Sequence, residues 1–179
     1  MNNQHNEIIL AGFGGQGILF IGKVLASAGL AFDKEVSWLP SYGPEMRGGT
    51  ANCRVIISEN PIGSPYIVNP TMLIAMNKPS LEKFEDTVVP GGFIAIDSAL
   101  ITQDIKRTDV TEIKIPATKI AADMGMRKSA NMILLGKFVK ETGIMTLDEL
   151  KEGVKKSVPA SKTAMLEANF KAVEIGYES

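Results

Sequence analysis

Chemistry-bearing side chains are scarce in this sequence. It has one cysteine, Cys53, and one histidine, His5. A single thiol excludes an internal disulfide. It also excludes a self-contained iron–sulfur cluster, which takes about four thiolates, so any redox centre that serves the chain must come from elsewhere. His5 falls in a polar N-terminal stretch expected to be a mobile tail, which removes the base needed for a Ser-His-Asp or Cys-His engine. No group of His, Cys and carboxylates has metal-ligand spacing. A net charge of −1 lacks the basic surplus of a nucleic-acid or acidic-membrane binder. No apolar run approaches the roughly 18 residues of a membrane span. The polar start, Met1-Asn-Asn-Gln-His-Asn6, has no signal-peptide core. The expected location is the cytoplasm.

What is present fits a globular domain. Hydrophobic residues make up 45% and charged residues 22% of 179 residues, enough to bury a sizeable core. No linker, repeat or low-complexity tract divides the chain, so residues 1–179 are expected to form a single domain. Short apolar runs predict strands over 7–11, 34–39, 51–58, 72–76, 93–97 and 110–115. Helical spacing predicts helices over 18–30, 78–86, 118–124, 129–142, 146–156 and 161–175. Asn77 is a candidate cap for the second of these, and Thr146 with Glu149 reads as a capping box. Strands alternating with helices, then helices alone, predict a three-layer α/β/α domain. Its sheet is expected to be mostly parallel or mixed, with a Rossmann-like start and a helical C-terminal part.

Two segments stand out. Gly12-Phe13-Gly14-Gly15-Gln16-Gly17 matches G-x-G-x-x-G between a predicted strand and a predicted helix. A turn this tight needs backbone angles that side chains resist, and bare backbone lets N–H groups approach an anion. The plainer reading is that these glycines only let helix and strand pack closely. A dinucleotide site also wants an acid at the end of the second strand. Here Asp33 and Glu35 lie at its beginning, which weakens the nicotinamide reading.

The second segment, Tyr42-Gly43-Pro44-Glu45-Met46-Arg47-Gly48-Gly49, should leave a strand's C-terminal end, where open α/β sheets bind ligands. The Arg47 fork beside Gly48 and Gly49 suits a phosphate or carboxylate; an ordinary surface loop is the alternative. Both loops should emerge at one edge and form a polar cleft for a phosphorylated ligand or another subunit. Cys53 reads as a small core residue. Asp97 either contacts a hydroxyl from the cleft or caps the turn after its strand. Trp38 and Tyr42 either line the cleft or pack.

Gly12-Phe-Gly-Gly-Gln-Gly17, followed by Ser41-Tyr-Gly-Pro-Glu-Met-Arg-Gly-Gly-Thr-Ala-Asn-Cys53, resembles the gamma subunit of 2-oxoacid:ferredoxin oxidoreductases. The likeness continues through Ile94-Ala-Ile-Asp-Ser98, Pro116-Ala-Thr-Lys-Ile-Ala-Ala122 and Asn131-Met-Ile-Leu-Leu-Gly136, nearly the whole chain. The Ser-Tyr-Gly-Pro-Glu-Met form looks more like the 2-oxoglutarate and branched-chain members than the pyruvate ones; indolepyruvate oxidoreductases, which carry a related domain, rank lower on that loop. The resemblance implies a complex that oxidatively decarboxylates a 2-oxoacid with coenzyme A, yielding acyl-CoA, carbon dioxide and reduced ferredoxin. It implies alpha, beta and iron–sulfur (delta-type) partner subunits that hold thiamine diphosphate and the clusters, with no cofactor on this chain alone. The site expected here is for coenzyme A: Gly12, Gly14, Gly15, Gln16 and Gly17 for a diphosphate, and Arg47, Gly48 and Gly49 opposite. No catalytic residue is assigned. Two other readings stay open, a docking module of the same complex and a free-standing NAD(P)-binding reductase.

Overall fold

A computed structural model describes residues 5–41 and 50–179. Among them the elements are β1 (His5–Phe13), α1 (Ile18–Ala31), β2 (Glu35–Pro40), β3 (Thr50–Ser58), β4 (Met72–Ala75), α2 (Lys78–Phe84), β5 (Phe93–Asp97), β6 (Thr111–Ile115), α3 (Ala117–Asp123), α4 (Ala130–Thr142), α5 (Leu147–Ser157) and α6 (Thr163–Glu178). Each predicted strand and helix is there, with ends shifted by a few residues. Asn77 caps α2 by accepting the Ser80 N–H at 2.8 Å. Thr146 and Glu149 form the full capping box of α5. One expectation fails at the N-terminus. His5 is the first residue of β1, not part of a tail, and its Nδ1 lies 3.1 Å from Ser58 Oγ across the ladder to β3.

The sheet has six strands in the order β2-β3-β1-β4-β5-β6. β1, β4, β5 and β6 are parallel neighbours, whereas β3 runs antiparallel to both β1 and β2. The Rossmann-like start therefore ends after α1, because β3 and not β2 takes the place beside β1. β1 itself is the switch point: the chain goes from it to one side for β2 and β3, then to the other side for β4.

Strand alternation divides the core into two faces. Ile8, Leu10, Cys53, Val55, Ile74, Ala95 and Ile113 point to the face covered by α1, α3 and α4. Ile9, Ala11, Ile56, Leu73, Ile94 and Ile96 point to the face covered by α2 and by residues 59–71 and 98–110. Burying each such branched side chain contributes about 1.5–3 kcal/mol. The central strand β4 is buried throughout, as expected for a parallel strand covered on both faces. α5 lies against α1, and α6 lies against α4, as an outer pair.

Close approach decides several glycines. A methyl on Gly22 of α1 would stand 2.5 Å from Cys53 Sγ and 3.1 Å from the Trp38 indole nitrogen. Glycine inside a helix costs about 1 kcal/mol relative to alanine, offset here by seating α1 directly on β3. Cys53 is wholly buried beneath it, and burial pushes its thiol up to about 12, against the smaller opposing effects of the Trp38 indole and Arg54. The core role expected for Cys53 holds, and Trp38 packs over α1 while staying 37% exposed.

Candidate functional site

The turn from β1 into α1 is held by one side chain. The Gln16 amide oxygen accepts the Phe13 N–H at 2.6 Å, and its nitrogen donates to the Met76 carbonyl at the end of β4, 3.0 Å away. Gln16 thus spans the switch point, and its amide is engaged within the fold. Gly15 and Gly17 both have positive φ, at 92° and 76°. Around Gly15 an added methyl would meet nothing within 4 Å, so backbone conformation alone calls for glycine there. Gly17 is held on its other side by Asn131, whose Nδ2 donates to the Gly17 carbonyl at 3.3 Å. Gly12 is buried within β1 and lies behind the turn, packed against Gln16 and Ile18.

Past the turn lies a crevice of about 480 Å3, lined by Gly15, Gln16, Gly17, Met76, Thr118, Arg127, Lys128, Ala130 and Asn131. It sits outside the carboxyl ends of β1 and β4, where open α/β sheets place their ligands. The N-termini of α1 and α4 both face it, and neither has an acidic residue in its first turn. Each helix start carries about half a positive charge on its free N–H groups. Arg127 and Lys128 form the 3-10 turn that leads into α4. Among the described residues neither has an ion-pair partner. Cations at that end of a helix oppose its dipole, by about 0.3–1 kcal/mol each. Among the described residues the crevice lining contains no carboxylate.

An acid lies behind Thr118 of the lining. Asp97, fully buried at the end of β5, accepts the Ala99 N–H at 3.1 Å. It also accepts the Thr118 N–H at 3.0 Å and the Thr118 hydroxyl at 2.5 Å. Of the two readings of Asp97, capping the turn is the one realised, and Asp97 also anchors the start of α3. Through Thr118, which lines the crevice, Asp97 fixes one wall of it from behind.

The expected site residues separate. Gly15, Gln16 and Gly17 line the crevice, Gly12 does not, and Gly14 faces a second depression on the other side of the turn. That depression holds about 240 Å3 and is lined by Phe13, Gly14, Leu19, Phe20 and Ala51 among others. Arg47, Gly48 and Gly49, with Tyr42, lie outside the described residues. The segment they belong to leaves β2 and enters β3 at Thr50, the partner of Phe13, so its two ends are at the same sheet edge as the glycine turn. Thr118, Arg127, Lys128 and Asn131 were missed as site residues. The signal for two of them was in the sequence: a basic pair directly before a predicted helix start, where acids are favoured.

No group of three or more His, Cys, Asp or Glu among the described residues is placed to hold a metal ion, and no described helix is long and apolar enough to cross a membrane. With one thiol, raised by burial to about 12, the chain has no donor set for an iron–sulfur cluster.

Known proteins resemble this chain in sequence and in fold. Ketoisovalerate oxidoreductase subunit VorA of Methanothermobacter thermautotrophicus is 40% identical over 174 residues, 96% of this chain but 36% of that protein. The chain therefore spans about a third of that relative. 2-oxoglutarate synthase subunit KorC of Methanocaldococcus jannaschii is 36% identical and is matched over 92% of its length by 96% of this chain. The gamma subunit of a keto/oxoacid ferredoxin oxidoreductase from Geobacter sulfurreducens has the same fold, with a TM-score of 0.82, 30% identity and coverage of 97% and 96% of the two chains. The 2-oxoglutarate:ferredoxin oxidoreductase of Magnetococcus marinus, solved with 2-oxoglutarate, coenzyme A and succinyl-CoA bound, matches 98% of this chain and 31% of its own, at a TM-score of 0.85 and 25% identity. The family described as pyruvate ferredoxin/flavodoxin oxidoreductase matches residues 7–179. The chain belongs to the pyruvate ferredoxin/flavodoxin oxidoreductase family, as a relative of its gamma subunits.

Proposed function

We propose that this chain is, as one domain, the gamma subunit of a 2-oxoacid:ferredoxin oxidoreductase, and that it holds coenzyme A and shapes the substrate channel. The carbon–carbon bond is then broken elsewhere in the complex. The observation that carries the reading is the crevice at the β1–β4 switch point, where two helix starts and a glycine turn face open volume, with no acid among the described residues of the lining. Backbone N–H groups in that setting suit a diphosphate, and the Magnetococcus relative was solved with coenzyme A bound. The 2-oxoacid is 2-oxoglutarate or a branched-chain acid, the substrates in the names of the KorC and VorA relatives. Thiamine diphosphate and iron–sulfur clusters belong on alpha, beta and delta-type partners, which pass electrons to ferredoxin. This chain's own part is to bind and orient the thioester-forming cosubstrate.

Calorimetry of coenzyme A binding to the assembled complex tests this, comparing wild type with Gly15→Val, at the crevice, and Arg47→Ala. The expected result is weaker coenzyme A binding with little change for the 2-oxoacid. Unchanged affinity in Gly15→Val would remove the turn from the site, and unchanged affinity in Arg47→Ala would remove Arg47.

A docking role is a second reading, favoured by the depression on the other side of the turn. Phe13 there is 44% exposed, beside Leu19 and Phe20, an apolar spot suited to another chain. Assembly that collapses without this chain, while the remaining subunits bind coenzyme A unchanged, would make docking the better account.

A further inference from the structure

We infer that Arg127 and Lys128 form the phosphate-recognising ridge of the crevice, pairing with phosphate oxygens of a nucleotide-like ligand. This rests on the coenzyme A reading and names the residues that would carry its charge. Four observations lead to it. The two cations stand on a 3-10 turn in front of α4, the one place in a helical segment where their charge opposes the dipole. No carboxylate among the described residues pairs with either. Other cations without an ion pair among the described residues, such as Lys23, Lys119 and Lys171, do not line the crevice, whereas Arg127 and Lys128 do. Finally, the ridge separates two open spaces. On one side is the polar crevice at the glycine turn. On the other is a depression of about 420 Å3 lined by Gly125, Met126, Ser129 and Ala168, with the same Arg127 and Lys128 as its wall.

A ligand that suits this ground is anionic in one part and apolar in another. Its phosphates would sit between the ridge and the start of α1, and a flat or apolar end would lie over Met126 and Ala168. An anion placed there reverses the unfavourable sign of the two cations against α4, because it is attracted both to them and to both helix starts. Arg127 adds the planar fork that fits two phosphate oxygens at once, and Lys128 adds a mobile point charge. Asn131 acts differently. Its Nδ2 is bound to the Gly17 carbonyl, and its Oδ1 accepts the Met132 N–H at 2.9 Å, so it positions the turn against the ridge. Coenzyme A offers two phosphate sources, the diphosphate bridge and the 3′-phosphate, and the shared chemistry is a phosphate dianion or diester pair.

The test uses the full chain, with binding followed by amide chemical shifts and equilibrium dialysis at low salt. The probes are coenzyme A, dephospho-coenzyme A and pantetheine, against wild type and Arg127→Gln/Lys128→Gln. Wild type is expected to bind coenzyme A with shifts at Gly15, Gly17 and Asn131, and the double variant to bind it at least tenfold more weakly, with a shallower salt dependence. Pantetheine, which has no phosphate, should bind both proteins equally. If dephospho-coenzyme A already shows the loss in wild type, the ridge reads the 3′-phosphate; if it behaves as coenzyme A does, the ridge reads the diphosphate. The unliganded double variant should melt no lower than wild type, since removing cations from a helix start relieves a repulsion, and this separates a binding role from a structural one. Equal coenzyme A affinity of the two proteins, or no binding by wild type, would overturn the ridge. The Gly15→Val comparison in the assembled complex decides the coenzyme A reading separately.

Discussion

Asn131 and Gly17 meet across 114 residues of sequence, the amide of the first donating to the carbonyl of the second at 3.3 Å. The contact joins the first turn of α4 to the residue that opens α1, and so fixes the width of the crevice between two helix starts. A methyl added to Gly17 would run into the Asn131 amide, and φ of 76° already disfavours any side chain there. Gly17→Ala should therefore cost about 2–4 kcal/mol, combining left-handed backbone strain with overpacking. Asn131→Ala alone loses one hydrogen bond, about 1 kcal/mol. In the double variant the clash is gone, so the pair should be less destabilised than the sum of its parts by about 1 kcal/mol. Urea unfolding of the four proteins measures this. Strict additivity would mean that the two residues do not constrain each other.

Cys53 supplies a pH dependence with a definite sign. Burial under α1 raises its thiol from 9.0 to about 12. Between those values the unfolded chain ionises the thiol and the folded chain does not, so the unfolded state gains and stability falls as pH rises above 9. Below pH 9 the thiol is protonated in both states and contributes no slope. Comparing wild type with Cys53→Ala cancels the other titrating groups. The stability difference between them should shift by about 1.4 kcal/mol against wild type from pH 8 to pH 10, one decade of ionisation. An unchanged difference would show that the folded thiol ionises as freely as the unfolded one. The native protein should also resist a thiol-specific disulfide reagent at pH 8 until it is unfolded.

The sequence made some of this plain and hid the rest for physical reasons. Local signals were legible: the apolar runs of β4 and β5, the Asn77 and Thr146 caps, and the glycine turn all rest on neighbours in sequence. The place of β3 was not, because an antiparallel strand beside β1 has the same alternation of Cys53, Val55 and Ile57 that it would show anywhere in a sheet. Pairing order is a long-range property that periodicity does not carry. The crevice was half legible. Gly15 and Gly17 were expected at it, but Thr118, Arg127 and Asn131 join it only because α3 and α4 return over the same end of the sheet. Gln16 was expected at the site with the glycines of the turn; its side chain ties β1 to β4, a long-range role that the local motif does not announce. His5 was expected in a tail because polar neighbours hide its register opposite Ser58.

The crossing of α4 and α6 separates two reasons for glycine. Gly136 and Gly176 face each other's helix: a methyl on Gly136 would strike the Val173 carbonyl oxygen, and one on Gly176 would strike the Ile133 carbonyl oxygen. These obstacles are backbone atoms, which cannot turn aside as a side chain would. Gly176 itself has no left-handed backbone angle, so on conformation alone alanine would be the better helix former. Gly143, at the end of α4, is the reverse case, with φ of 62° and nothing within 4 Å of an added methyl. Alanine there meets only the left-handed penalty of about 1–2 kcal/mol. If helix separation dominates, Gly176→Ala should cost roughly 3 kcal/mol or more, at or beyond the upper end of core overpacking, and exceed Gly143→Ala despite its ordinary backbone. Urea midpoints at a common slope measure the two. Should Gly143→Ala prove the more damaging, the α4–α6 contact would be looser than these backbone distances make it, and helix propensity would outweigh steric fit at that crossing.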